Sequence, residues 1–322
     1  MDLTPHADQR AMRDALCELL RATWPPDRLR AATETGAVDP DSWAALADIG
    51  VLGLLAPESA GGLGLGMADA VLLGEEIGAS LAPGPVVATM LAAELVPEAI
   101  TGKAMVTAVD TRDLVAEHLA DATQLIVVDD EGLFRCEPGD WVAEPMARPL
   151  DPLTPVSRVT LPNGRGRRIG SAGDVARWRA RGTAITAALQ VGVAQGALDL
   201  AVRYATEREQ FGRVIGSFQA VKHLLAESLV KVDLARAQVL VAALTLDDPT
   251  AGDAEAELSA AKLLADRAAT EGGRTGIQVH GGMGFTWEVL AHLFVKRAWV
   301  LATTFGSVDE HAQRLAGQWN GS

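Results

Sequence analysis

The sequence predicts a mainly α fold in which a small antiparallel β domain lies between an N-terminal helical domain, residues 1–99, and a C-terminal four-helix bundle, residues 171–322. Three observations predict it. Apolar residues recur at helical spacing up to about Pro97, the period shortens to β-rich runs between Ile100 and Arg168, and the helical period returns after Ala172 and persists. The reduced β domain is therefore bounded at residues 100–170. With 4% aromatics against 48% hydrophobic residues, the core must be built from Ala, Leu and Val, as in close-packed helices. A chain of 322 residues is long enough for two or three packed units.

In the first domain Leu16, Leu19, Leu20 and Ala22 share one helical face, and Trp43, Leu46, Ile49 and Leu52 suggest another. Asp39-Pro40-Asp41-Ser42 marks a helix start, with side-chain oxygens able to accept from the first free amides. Gly61-Gly62-Leu63-Gly64-Leu65-Gly66 is read as a connection between helices. A dinucleotide loop needs a preceding strand, and here a Pro57-Glu58 turn precedes instead.

The runs 104–109, 124–128, 132–135 and 156–161 are short and β-rich. Asp129-Asp130-Glu131-Gly132 and Glu137-Pro138-Gly139-Asp140 read as hairpin turns between antiparallel strands, and Arg165-Gly166-Arg167-Arg168 as a solvated loop. In the last domain Leu189, Val193, Leu198 and Val202 form one stripe and Phe218, Val221, Leu225, Leu229 and Val232 a second. Residues 254–269 supply a third helix and 289–304 a fourth, with Trp287-Glu288 as the latter's start.

Charge and composition exclude several functions. There are 42 acidic and 28 basic residues, a net charge of −14, and no Lys/Arg stripe, so nucleic acid is not expected as a partner. Cys17 and Cys136 are too few for a disulfide framework, and the six His never take a metal-binding spacing. The first ten residues lack a signal-peptide core and no apolar run reaches the ~18–20 residues of a membrane span. A cytoplasmic protein without membrane insertion is expected.

Two segments carry the most specific signal: Arg208-Glu209-Gln210-Phe211-Gly212, followed by Phe218-Gln219, and Gln278-Val279-His280-Gly281-Gly282-Met283-Gly284-Phe285. In this order they resemble the flavin-contacting segments of the acyl-CoA dehydrogenase family, and the likeness extends over essentially the whole chain. The resemblance implies FAD as cofactor, an acyl-CoA substrate, an electron-transfer flavoprotein as acceptor, and a flavin bound between one subunit's β domain and its neighbour's bundle. It assigns Arg208, Phe211, Gln278, Gly281, Gly282 and Ser307 to cofactor binding. The chemistry suits these residues, since a guanidinium offers phosphate a fork of permanent donors and glycine lets main chain come close to a nucleotide. His280 is read as a packing or backbone-bonding residue.

The same resemblance exposes a gap. Dehydrogenation of an acyl-CoA needs a carboxylate to take the α proton, and a positioned base typically contributes 10²–10⁴-fold. Aligning Lys296-Arg297-Ala298 through Gly306-Ser307 on the family puts Phe305 in that position. The alternative site early in the first bundle helix has Gly182 and Thr183, and the β domain lacks the family's Thr-Glu-Pro and Gly-Ser-Asp sequences. The chain thus resembles the short, catalytically degenerate subunit of actinobacterial α2β2 acyl-CoA dehydrogenases acting on steroid-derived CoA thioesters. Its expected partner is a homologous catalytic subunit. Two alternatives stand beside this: a self-sufficient homodimer using Asp309 or Glu310 as base, and a non-catalytic helical scaffold.

Overall fold

The computed structural model describes residues 3–319. Met1, Asp2 and 320–322, at the far ends of the two outer predicted domains, lie outside the described residues. The chain forms two compact units, one of residues up to 30, 71–81 and from 183 onward, the other of 31–70 and 82–182.

The helices that open the chain are α1 (Ala7–Thr23), α2 (Pro26–Thr35), α3 (Pro40–Asp48), α4 (Met67–Ser80) and α5 (Val86–Ala92). The predicted cap of α3 is present: Asp39 accepts from the Ser42 amide at 3.0 Å, and Pro40 occupies the first helical position. His6 and Gln9 form a capping box on α1 that the sequence reading missed. The predicted faces are partly corrected. Leu16 and Leu20 are buried, but Ala22 turns to solvent, because six residues past Leu16 brings it round the helix to another face. Ile49 is also exposed, since α3 stops at Asp48, and Leu52 is buried from the following turns. Residues 61–66 are a connection, as read, following a 3₁₀ turn at Glu58–Ala60.

Seven strands follow: β1 (Val106–Asp110), β2 (Val115–Glu117), β3 (Gln124–Asp129), β4 (Gly132–Cys136), β5 (Val142–Pro145), β6 (Val156–Thr160) and β7 (Arg167–Ser171). They make a four-stranded sheet ordered β1-β3-β4-β7 and a three-stranded sheet ordered β2-β6-β5. The pairing is antiparallel as predicted with one exception. β1 lies parallel to β3, because the chain leaves the first sheet to form β2 in the second and re-enters from the same end. The 129–132 turn closes the β3-β4 hairpin, whereas 137–140 carries the chain from one sheet to the other and is not a hairpin turn. The arginine run is only partly a loop, Arg165 and Gly166 preceding the strand. Arg167 and Arg168 lie in edge strand β7, and Arg165 pairs with Asp129 at 2.7 Å and Glu131 at 2.8 Å. Charge on an edge strand also discourages further strand pairing.

The helical unit is built on α6 (Ala172–Glu207), α7 (Gln219–Asp247), α8 (Ala254–His280), α9 (Ala291–Leu301) and α10 (Val308–Trp319), with the two-residue strands β8 (Glu209–Gln210) and β9 (Arg213–Val214) between α6 and α7. α8 packs against α7, α9 and α10, and its buried face is mainly Ala, Gly and Ser, which allows close helix approach. α6 is long and apolar enough to cross a membrane, but 72% of its apolar window is buried inside the protein, as a bundle helix requires. The predicted stripes are not continuous: Val202 and Leu229 are exposed, although Val232 is buried, and off the stripes Val230 and Leu234 are each 57% exposed. The predicted fourth helix begins at Ala291, so Trp287 and Glu288 precede it without capping it.

Candidate functional site

At the foot of α6 the Arg208 amide still donates to Tyr204, and the chain then turns back as the β8-β9 hairpin. Its two central residues, Phe211 and Gly212, both have positive φ, +55° and +78°. That turn matches the natural twist of paired strands, but its first position ordinarily takes Asn, Asp or Gly. Phe211 is nevertheless there, 93% exposed, edge-on to the Phe218 ring at 6.1 Å between centroids. Arg213 lays its guanidinium over the Phe218 ring at 4.1 Å. The Arg208 guanidinium is exposed and has no partner among the described residues.

The end of α8 meets the same region through Tyr204. Its ring stacks on buried His280 at 4.3 Å, and its hydroxyl reaches the Met283 sulfur at 3.7 Å. His280 Nδ1 lies 2.7 Å from the Gly276 carbonyl, so this histidine packs and bonds backbone, as the sequence reading had it. Val279 joins Ala201 and Ala205 in a small core flanked by Tyr204 and Ile215. The predicted segments therefore share one end of the bundle. There Gln278, Gly281 and Gly282 are exposed, and a Cβ added to either of those glycines would touch nothing within 4 Å. Gly284 differs, because a Cβ there would come within 2.8 Å of the Ile277 carbonyl oxygen. Phe285 is 74% exposed and Trp287 56%. In so aromatic-poor a chain, three open rings at one end of a bundle mark an unfilled surface.

The corner between α9 and α10 holds the remaining candidates. Phe305 has φ +58°, and Gly306, at +108°, continues the turn. The Phe305 carbonyl lies 3.1 Å from Nε2 of buried His311, whose Nδ1 is 3.2 Å from the Ser259 hydroxyl. Ser307 caps α10. Its amide donates to Glu310 Oε2 at 2.7 Å while its hydroxyl accepts from the Glu310 amide at 3.3 Å. Glu310 is thus turned back on its own helix, Asp309 lies on the exposed first turn, and the Ser307 hydroxyl retains one free lone pair.

Sequence reasoning missed Arg213, Tyr204 and a buried polar chain in the bundle. Lys262 Nζ donates to the Leu301 carbonyl at 2.9 Å, and Gln190 donates to Asp266 at 2.7 Å. Burial lowers the Lys262 pKa to about 8 and raises that of Asp266. Two opposite charges four apart on an alanine-rich stripe were the available signal. In the same unit a cavity of about 800 Å³ opens among α1, α4, α6 and α7. Its charged groups are used internally, with Arg236 bidentate on Glu75 and bonded to Gln195 at 2.8 Å. Burial and a hydrogen bond to Glu76 push the Cys17 thiol up to about 12, so it is no thiolate nucleophile. Among the described residues no cluster of His, Cys, Asp or Glu is able to hold a metal ion.

Comparison with known proteins matches residues 6–102 to the acyl-CoA dehydrogenase N-terminal domain and residues 174–318 to the acyl-CoA dehydrogenase C-terminal domain. The chain is 32% identical to acyl-CoA dehydrogenase IpdE2 of Mycolicibacterium smegmatis, over 97% of this chain and 98% of that protein. IpdE2 of Mycobacterium tuberculosis is likewise 32% identical, over 98% of both. Among solved structures, one chain of the ChsE4-ChsE5 complex from M. tuberculosis superposes with a TM-score of 0.88 at 24% identity, over 100% of both chains. A chain of the Tcur3481-Tcur3483 steroid ACAD, G363A variant, gives 0.87 at 25% identity, over 98% of this chain and 99% of that one.

Proposed function

This chain belongs to the acyl-CoA dehydrogenase family, and we propose that it is the non-catalytic half of a heteromeric, FAD-dependent acyl-CoA dehydrogenase, lending cofactor-binding residues to a homologous subunit that carries the base. The proposed substrate is a CoA thioester with a bulky, steroid-derived acyl group, and an electron-transfer flavoprotein the electron acceptor. One observation carries the reading. The bundle end keeps an unpartnered Arg208, an open Phe211 and bare Gly281 and Gly282, while the position expected for the base holds Phe305.

The residues at this end fit a dinucleotide. An exposed guanidinium suits pyrophosphate oxygens, and two glycines facing open space let main chain approach the adenosine half. FAD, when bound, supplies the hydride acceptor. In this reading Arg208 holds its phosphates, Gln278 and the 281–282 backbone orient the nucleotide, and Phe211 covers it from water. Ser307 has a lone pair left for the same ligand. A phenyl ring accepts no proton, so at Phe305 this chain removes none from the α carbon, and that step falls to the partner's carboxylate. Glu310 is occupied as a helix cap, which weighs against its service as a substitute base.

Co-expression of the tagged chain with its homologous partner tests this. A yellow complex with about one FAD per pair is expected, colourless protein when the chain is purified alone, and unchanged turnover in the complex on Phe305→Ala. Stoichiometric flavin and acyl-CoA oxidation by the isolated chain overturns the reading. Full flavin retention by an Arg208→Ala complex would favour a scaffold instead.

A further inference from the structure

Along the β8-β9 hairpin Gln210 lies opposite Arg213 and Glu209 opposite Val214, and the ladder extends to Arg208, whose carbonyl accepts from the Ile215 amide at 2.8 Å. Directly opposed residues share a face of the ribbon and successive residues alternate between faces. Arg208, Gln210 and Arg213 therefore lie on one face and Glu209 on the other. Elsewhere arginines of this acid-rich chain find carboxylates: Arg165 with Asp129, Arg179 with Asp110 and Asp130, Arg236 with Glu75. Arg208 and Arg213 have no carboxylate partner among the described residues. Arg213 is held in place instead by the Phe218 ring beneath it, which fixes the plane of its fork and leaves its N–H edge to solvent.

We infer that Arg213 is a second phosphate-binding residue of the same site, so that the hairpin grips a dinucleotide's pyrophosphate with two guanidinium forks, Arg208 on one phosphate and Arg213 on the other. The inference rests on the reading that this end of the bundle faces FAD. It adds a residue that sequence reasoning did not select. A dinucleotide's pyrophosphate carries one negative charge on the oxygens of each phosphate, and two separated forks match two charges better than one. Phe218 serves as the platform on which the Arg213 guanidinium rests, reducing the side-chain entropy lost on binding.

The experiment uses the complex purified through the tagged chain, stripped of flavin and titrated with FAD while flavin fluorescence is followed. Gel filtration of the stripped complex reports assembly separately. Arg208→Gln and Arg213→Gln are each expected to raise the FAD Kd about tenfold or more, as for loss of one charged hydrogen-bonding contact. Arg213→Lys should fall between, keeping charge without the fork, and Glu209→Gln on the opposite face should stay within about twofold. Added salt should weaken FAD binding less in Arg213→Gln than in the parent. If Arg213→Gln binds FAD like the parent while Arg208→Gln does not, the second fork is refuted and the flavin reading survives. If neither change moves the Kd, both fall. If Arg213→Gln separates the stripped subunits, Arg213 is an interface residue and the inference is wrong.

Discussion

His311 Nε2 lies 3.1 Å from the Phe305 carbonyl oxygen, and Nδ1 of the same ring lies 3.2 Å from the Ser259 hydroxyl. A carbonyl only accepts, so Nε2 carries the hydrogen and the neutral ring takes the Ser259 proton at Nδ1. The backbone of Phe305, in its left-handed conformation, is thereby tied to α8. Burial holds the imidazole below its usual 6.5, with Arg314 and Lys262 adding to the effect and the Phe305 carbonyl and Glu310 opposing it. The unfolded chain therefore binds this proton first as pH falls. The contribution of His311 to stability is complete above about pH 6.5 and is lost as pH drops through the lower folded-state value. Urea melts between pH 8 and 5 should show a fall of at most about 1.4 kcal/mol per pH unit from this group, absent in His311→Gln. Identical pH slopes for the two proteins would refute the assignment.

Lys262 titrates at the other end of the scale with the same sign. It is fully buried, donates to the Leu301 carbonyl, and burial lowers its pKa from 10.5 to about 8 against the pull of Asp266. Between those values the unfolded chain holds the proton and the folded chain releases it, so stability rises with pH across the window. Compared with Lys262→Met, the parent should gain about 1–2 kcal/mol between pH 7.5 and 9.5, read by denaturant titration at each pH. A flat difference would mean that the ammonium is well solvated or fully paired.

Much of this was readable from residues alone, and the failures have physical causes. The Asp39 cap, the 129–132 hairpin and the Arg208 and Gly281 segments are local signals, decided within a few residues. Val202 and Leu229 belong to predicted apolar stripes yet are exposed, because helical periodicity identifies an apolar face without saying what covers it. The parallel β1-β3 pair depends on where the chain goes in between, and the Lys262 and Asp266 partners come from Leu301 and Gln190, far off in sequence. Ser307-x-x-Glu310 is a legible capping box that the catalytic reading of Glu310 leaves out.

Two glycines separate packing from binding. A Cβ on Gly192 of α6 would sit 1.9 Å from the Glu75 carbonyl oxygen and 2.7 Å from the Ala79 amide of α4, both backbone atoms without room to move. Gly192→Ala is expected to cost about 2–3 kcal/mol or more in denaturant melts. A Cβ on Gly282 would meet nothing within 4 Å and the residue has no positive φ, so Gly282→Ala should change stability by less than about 0.5 kcal/mol while reducing flavin retention by the complex. A destabilised Gly282→Ala protein with normal flavin content would reverse the roles assigned to the two positions.

Phe211 is the sharpest case, because its conformation and its exposure both count against the isolated chain. A non-glycine residue in the left-handed region costs roughly 1–2 kcal/mol, and a ring 93% open to water recovers almost nothing by burial. Strain retained without local compensation points to use elsewhere. Phe211→Gly should therefore leave the purified chain as stable as before or up to about 1 kcal/mol more stable, the relief being partly offset by the greater freedom of glycine when unfolded. In the complex the same change removes the ring proposed to cover the flavin, so faster flavin loss on dilution is expected. A surface residue tolerated by chance would give the first result without the second, and a ring needed for folding would lower stability before any partner is added.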